Sequence, residues 1–76
     1  MTDARPRKRS LTLHGHRTSV SLEEAFWVAF NDMAREQGLS VNALAMKIDR
    51  ERGVSAGLAS AIRVAVLKRL QASAER

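Results

Sequence analysis

The sequence predicts a mainly α-helical fold in which two short β-strands precede three helices. Residues 10–22 alternate β-favouring and polar side chains on either side of Gly15, a pattern typical of strands joined by a turn. Three later segments repeat apolar residues at the i, i+3, i+4 spacing of a helix face, and Gly38 and Gly53 separate them. The predicted order is therefore strand, strand, helix, helix, helix.

The length limits how much core one copy can bury. The protein has 76 residues, enough for one domain, and a domain of this size buries only about 60% of the surface that its unfolded form exposes. One Trp and two Phe make a thin core for a single copy. We therefore expect an intertwined homodimer whose core is shared.

The positive charge is concentrated near the N-terminus. The formal net charge is +5, and residues 1–17 hold five Lys and Arg against one Asp, which leaves about +1 for the rest. This excess favours a polyanionic partner. Residues 1–9 contain the only Pro and almost nothing apolar, so they predict a flexible basic arm. Its cations are Arg5, Arg7, Lys8 and Arg9.

The strands are predicted near residues 10–13 and 17–22. A period of two gives the second strand two different faces. Its apolar face holds Thr18, Val20 and Leu22, and its polar face holds Arg17, Ser19 and Ser21. The polar face is the one free to meet a ligand.

The first helix is predicted over about residues 23–37. Ser21-Leu-Glu-Glu24 matches a capping box, in which the Ser oxygen accepts from a helix amide and the Glu side chain reaches back. Gly38 is placed to end the helix in a left-handed turn.

The second helix is predicted over about residues 40–52 and the third over about 55–72. Ser40 and Ser55 are the expected caps. Residues 10–76 would then form one domain. Its expected dimer core consists of Val20, Leu22, Phe26, Trp27, Phe30, Leu44, Ile48 and Ile62. Trp27 lies off the strict stripe of the first helix, so it fits either this wider core or a partner surface.

The residue types give little support for catalysis or metal binding. The protein has no Cys, and His14 and His16 form an H-x-H pair with no carboxylate nearby. No Ser, His and Asp arrangement accompanies the serines. We expect no enzyme activity, no metal and no cofactor. Since no segment approaches the roughly 20 apolar residues of a membrane span, we also expect a soluble, cytoplasmic protein.

Two stretches of the sequence resemble a known family. Thr18-Ser-Val-Ser-Leu-Glu-Glu-Ala-Phe26 is similar to the strand-to-helix junction of ribbon-helix-helix repressors, and Ala34-Arg-Glu-Gln-Gly-Leu-Ser-Val-Asn42 is similar to their inter-helix turn, closely so for the Arc-type repressors. The segment RSLTLHGHR and the third helix depart from the minimal pattern. Both resemble a bacterial ribbon-helix-helix subfamily with the pattern GHRTSVSLE and FW in its first helix.

The resemblance implies double-stranded DNA as the partner. In that family two copies pair their strands into an intermolecular two-stranded antiparallel ribbon that enters the major groove. The strand positions that contact bases in that family correspond here to Arg17, Ser19 and Ser21. The phosphate contacts are Ser40, Val41 and Asn42 at the start of the second helix, joined by the cations of the basic arm.

Two alternatives stay open from the sequence. If the segment before Gly15 pairs with the ribbon, the reading face could instead include Ser10, Thr12 or His14. The third helix, Leu58 to Leu70, could also bind another protein, which would make this protein an antitoxin-like or adaptor module. The leading expectation is a homodimeric transcriptional regulator associated with the nucleoid.

Overall fold

The protein consists of a β-hairpin followed by three helices. A computed structural model describes residues 4–53 and 56–75. The elements are β1 (Arg7–Leu13), β2 (His16–Leu22), α1 (Glu24–Glu36), α2 (Val41–Glu51) and α3 (Leu58–Ala74). Their order confirms the predicted fold class. None of these helices combines the length and the apolar character that crossing a membrane requires.

The two strands pair antiparallel within one copy of the protein. The register runs from Leu13 opposite His16 at the turn to Arg7 opposite Leu22 at the open end. His14 and Gly15 both have positive φ, 54° and 77°, as the tight two-residue turns of hairpins with right-handed twist require. The turn predicted at Gly15 is therefore present, and a larger residue at that position would be strained.

The hairpin corrects the predicted boundary of the basic arm. Arg7, Lys8 and Arg9 were placed in a flexible arm, but they form the first half of β1, which begins at Arg7 rather than near residue 10. Pairing with β2 places all three residues in the sheet, and composition alone cannot reveal such pairing. The sheet also forms inside one copy, whereas the ribbon was expected between two. Pairing between copies stays a proposal.

The core lies between the inner face of the hairpin and the helices. Leu22, Phe30 and Ile62 are fully buried, and no polar side chain among the described residues is buried with them. Of the predicted dimer core, Phe26 and Trp27 are only partly buried and pack against the cluster, while the other six residues are buried within one copy. Thr18 was expected on the apolar face but is exposed opposite Leu11.

The predicted capping box at the start of α1 is wrong. The N-cap is Glu23, whose side chain makes no cap hydrogen bond, and the helix begins at Glu24. Ser21 cannot act as the cap because it is still paired in β2, opposite Lys8. The Glu24 carboxylate instead accepts a hydrogen bond of 2.7 Å from Arg9.

The caps between the later helices agree with the sequence where the structure describes them. Gly38 adopts φ +68° after α1, and the Ser40 Oγ accepts a hydrogen bond of 3.0 Å from the Ala43 amide, a type of cap worth about 1 kcal/mol. The predicted cap Ser55 lies outside the described residues. The third helix begins at Leu58, with Gly57 as its N-cap residue, and continues to Ala74.

Candidate nucleic-acid interface

The outer face of the hairpin is a continuous polar surface. The register places Lys8 opposite Ser21, Ser10 opposite Ser19 and Thr12 opposite Arg17, and all six side chains are exposed. The inner face, in contrast, holds the leucines and the valine of the core. The alternation of the two strands therefore presents one face to the core and the other to a partner.

This outer face carries positive charge and no carboxylate. Lys8 and Arg17 lie at opposite ends of it, and four hydroxyl side chains lie between them. No ion pair between described residues engages Lys8 or Arg17. Both cations are available to an anionic ligand, and the hydroxyls can donate to or accept from base edges and phosphates.

The outer edge of β1 contacts α2 at its turn end. The Thr12 backbone N–H donates to the Asn42 Oδ1 at 3.0 Å, and the His14 N–H donates to the Met46 Sδ at 3.4 Å. These contacts satisfy amides that would otherwise form a bare sheet edge. They also fix the beginning of α2 beside the outer face of the hairpin.

The N-terminus of α2 fits an anion at that position. The Ser40 Oγ caps the Ala43 amide, while the N–H groups of Val41 and Asn42 have no partner within the helix. The positive end of the helix dipole adds to them, and no acidic side chain lies in the first turn. Since the Asn42 oxygen accepts from Thr12, its exposed amide nitrogen remains free to donate.

The Arg9 side chain packs against α1. It lies on the inner face, its guanidinium 5.3 Å from the centre of the Trp27 ring and 2.7 Å from Glu24, and its side chain is 16% exposed. The stacking holds the charge against α1. The sequence predicted a phosphate contact for Arg9, and that stays a prediction; the structure shows its contacts with Glu24 and Trp27. Arg5 and Arg7 are exposed near the open end of the hairpin.

The edge of β2 differs from that of β1. Ser21 directs its backbone carbonyl away from β1, because this oxygen accepts from the Arg63 guanidinium at 3.1 Å. The same alternation directs the backbone groups of Arg17 and Ser19 to this edge, where no described residue bonds to them. The edge of β2 is therefore open at its centre.

Arg63 of α3 fixes one end of this edge. Besides Ser21, it contacts the Glu23 carboxylate at 2.8 Å, and its guanidinium lies 5.7 Å from the centre of the Phe26 ring. The pKa of Glu23 is held below its ordinary value by a hydrogen bond from its own backbone N–H and by that from Arg63. No pattern in the sequence pointed to Arg63, since its partners come from distant segments.

The two histidines lie at the turn end of the hairpin. His14 lies in the turn and His16 begins β2, and both are exposed. Within residues 4–53 and 56–75, no group of three or more side chains has the arrangement of a metal site.

Sequence comparison agrees with this architecture. A family model described as a ribbon-helix-helix domain matches residues 6–70. The protein belongs to the ribbon-helix-helix family. Comparisons with curated proteins and with solved structures gave no match. The matched region includes β1 and most of α3, so both belong to the ribbon-helix-helix domain.

Membership of the ribbon-helix-helix family gives the outer face its context. These domains are generally DNA-binding transcription regulators or antitoxins, typically bind DNA as dimers and are typically not enzymes. The match concerns the family as a whole, and the narrower bacterial subfamily stays a prediction. Of the predicted base contacts, Arg17, Ser19 and Ser21 lie together on β2, and β1 adds Lys8, Ser10 and Thr12 beside them.

Proposed function

We propose that this protein binds double-stranded DNA as a homodimer and acts as a transcriptional regulator at the nucleoid. The observation that carries the proposal is the outer face of the hairpin, which combines two cations and four hydroxyls without a carboxylate beside the N-terminus of α2. Such a surface is complementary to a groove and its two rows of phosphates. Membership of the ribbon-helix-helix family supports the same function.

Two copies join, in this proposal, through the open edge of β2. A twofold axis at Ser19 pairs Arg17 of one copy with Ser21 of the other and gives a four-stranded sheet with the order β1-β2-β2-β1. The backbone groups of Arg17 and Ser19 then find partners. The Ser21 carbonyl can keep Arg63 and accept a strand hydrogen bond as well, because it has two lone pairs.

The width of the major groove assigns different roles to the two strands. Neighbouring strands lie about 4.8 Å apart, so the outer strands of a four-stranded sheet are separated by roughly 14 Å, while the groove is about 12 Å wide. Only the two central strands enter fully. Arg17, Ser19 and Ser21 of β2 therefore reach base edges, and Lys8, Ser10 and Thr12 of β1 lie at the walls, near phosphates.

Phosphate contacts flank this sheet. The free amides of Val41 and Asn42, held in place by the Ser40 cap, lie beside β1 on its outer edge. Arg5 and Arg7 lie at the open end of the hairpin. Arg9 is left out of this set because Glu24 and Trp27 already hold its guanidinium.

A fluorescence-anisotropy titration of a labelled duplex pool at two salt concentrations tests the proposal. We expect binding with a steep negative dependence on salt, because each neutralised phosphate releases counterion, and two protein copies for each bound site. Selection of bound sequences from random DNA should return two half-sites related by a dyad. No binding to any duplex at low salt would contradict the proposal, and one copy per site would contradict the dimeric arrangement.

A second candidate function is that of an antitoxin-like or adaptor module. The observation in its favour is α3, on which Val64, Leu67 and Leu70 are each about half exposed. A partner protein bound there would explain why apolar side chains face solvent. Co-purification of one specific partner, with no affinity for duplex DNA at low salt, is the result expected for this candidate alone.

A further inference from the structure

One surface of α3 has the composition of an interface. Val64, Leu67 and Leu70 are 50%, 53% and 51% exposed, and with Phe26, Arg63 and Val66 they line a groove of about 320 Å³. Arg63 is the one charged residue among those that line this groove. A helix that is apolar on its outer as well as its inner face is typically covered on both.

The two arginines of α3 are already neutralised by α1 and the residue before it. Arg63 pairs with Glu23 at 2.8 Å, and Arg69 makes two hydrogen bonds to the Glu36 carboxylate. Hydrogen bonding from Arg69 lowers the pKa of Glu36, so this carboxylate stays ionised at neutral pH. The groove therefore has little net charge, although the protein as a whole carries +5. Two positively charged copies can meet there with little repulsion.

The groove is continuous with the open edge of β2. Arg63 both lines the groove beside Phe26 and donates to the Ser21 carbonyl at that edge. Antiparallel pairing about a twofold axis perpendicular to the sheet keeps the inner faces of both copies on the same side. The helices packed under the two sheets are then brought towards each other at the axis.

We infer that a second copy of this protein covers the groove, so that α3 forms the helical half of the dimer interface and β2 the strand half. This inference rests on the proposed dimer and adds its apolar component. Burial of Val64, Leu67 and Leu70 against the other copy removes apolar surface from water and so stabilises the dimer. Pairing of a polar strand edge does not contribute this hydrophobic stabilisation. An interface of this composition has an apolar centre and a polar rim.

Sedimentation equilibrium of the full-length protein with Leu67→Glu tests the inference. We expect the dimer dissociation constant to increase by roughly 10- to 100-fold, as for a residue at the centre of an interface. The matched control is Val28→Glu, since Val28 is 49% exposed on the outer side of α1 and does not line the groove. Its dissociation constant should stay within about threefold of the original. Equal constants for Leu67→Glu and the original protein would overturn the inference.

A second measurement avoids dependence on the stability of that variant. The protein has no Cys, so Leu67→Cys and Val28→Cys each introduce a single thiol. A short bis-maleimide should crosslink Leu67→Cys into a dimer and leave Val28→Cys monomeric on a denaturing gel. The reverse result, or no crosslink from either, would overturn the inference.

The same variants separate this inference from the proposed function. If Leu67→Glu binds duplex DNA and its dimer dissociation constant is unchanged, α3 is not part of the dimer interface. The proposal of DNA binding would then still stand. The opposite case has two results: Leu67→Glu weakens the dimer, and the original protein binds no duplex DNA. Together they would support the inference and contradict the proposal of DNA binding.

Discussion

At the scale of single residues, the two cations of the outer face have different expected roles. Arg17 is on β2, which lies at the centre of the proposed four-stranded sheet, and Lys8 is on β1, which lies at its margin. An arginine can make two parallel hydrogen bonds to guanine, whereas a lysine at a groove wall acts as a point charge on phosphate. Substituting each one separates base recognition from phosphate binding.

Arg17→Ala should weaken binding to the selected DNA site by about 1 to 3 kcal/mol and relax the preference at one base position. The reason is the loss of a bidentate contact to a base edge. Anisotropy titrations with the selected duplex and with single-base variants measure both effects. The matched control is Arg35→Ala, which removes one positive charge from the exposed end of α1. An equal loss of affinity for every DNA sequence would indicate that Arg17 contacts a phosphate and not a base.

Lys8→Ala should weaken binding by a similar factor on all DNA sequences and reduce the slope of log affinity against log salt concentration by about one. Its side chain is expected to neutralise one phosphate and to touch no base. The same titrations at several salt concentrations measure the slope, again with Arg35→Ala as the control. A change in base preference would instead indicate that Lys8 contacts a base in the groove, which would contradict the role assigned to it here.

At the scale of secondary structure, the sequence predicted what depends on local pattern. The apolar stripes of α1 and α2, the left-handed Gly38 and the Ser40 cap all depend on residues within one or two turns, and the structure has them. The predicted Ser21 cap failed because pairing with β1 keeps that residue in the strand. The contacts of Arg9 with Glu24 and Trp27 could not be predicted for the same kind of reason, since they come from the register of the hairpin.

The candidate site was predictable only in part. The period of two in β2 indicated Arg17, Ser19 and Ser21, and the resemblance indicated the start of α2. That the two lie close together depends on the hydrogen bond from Thr12 to Asn42, which joins residues 30 positions apart. No sequence pattern of short range carries that information.

Asn42→Asp should separate the stability of α2 from its affinity for phosphate. A carboxylate oxygen can still accept from the Thr12 N–H, and a negative charge in the first turn stabilises the helix by about 0.3 to 1 kcal/mol. The same charge repels phosphate, so DNA affinity should fall on the order of tenfold. Thermal unfolding and anisotropy measure the two effects. An unchanged affinity would contradict the role of this helix terminus in phosphate binding.

Two carboxyl groups predict a loss of stability in acid: Glu23, which accepts from its own backbone N–H and from Arg63, and Glu36, which accepts from Arg69. The pKa values of both carboxyl groups are lowered from 4.5 in the folded protein, so folding favours their charged forms. Their stabilising contribution is present above pH 4.5 and is lost as the pH falls through the lowered folded values. Urea unfolding between pH 7 and pH 3 should show a smaller loss for Glu36→Gln than for the original protein. Identical pH profiles would contradict this assignment.

At the scale of the whole molecule, polar and apolar surfaces are separated. The outer face of the hairpin and the N-terminus of α2 form one cationic, hydroxyl-rich surface, and the exposed stripe of α3 forms an apolar surface. The open edge of β2 lies between them and carries the contact with Arg63. One fold thus carries a cationic polar surface and, apart from it, an exposed apolar one.

An NMR titration of the ¹⁵N-labelled protein with its selected duplex tests DNA recognition by the hairpin most directly. We predict that the largest amide shifts come from Arg17, Ser19 and Ser21 and from Val41 and Asn42, while Leu67 and its neighbours on α3 change little. Shifts confined to α3, with the outer face of the hairpin unaffected at saturating DNA, would contradict the account.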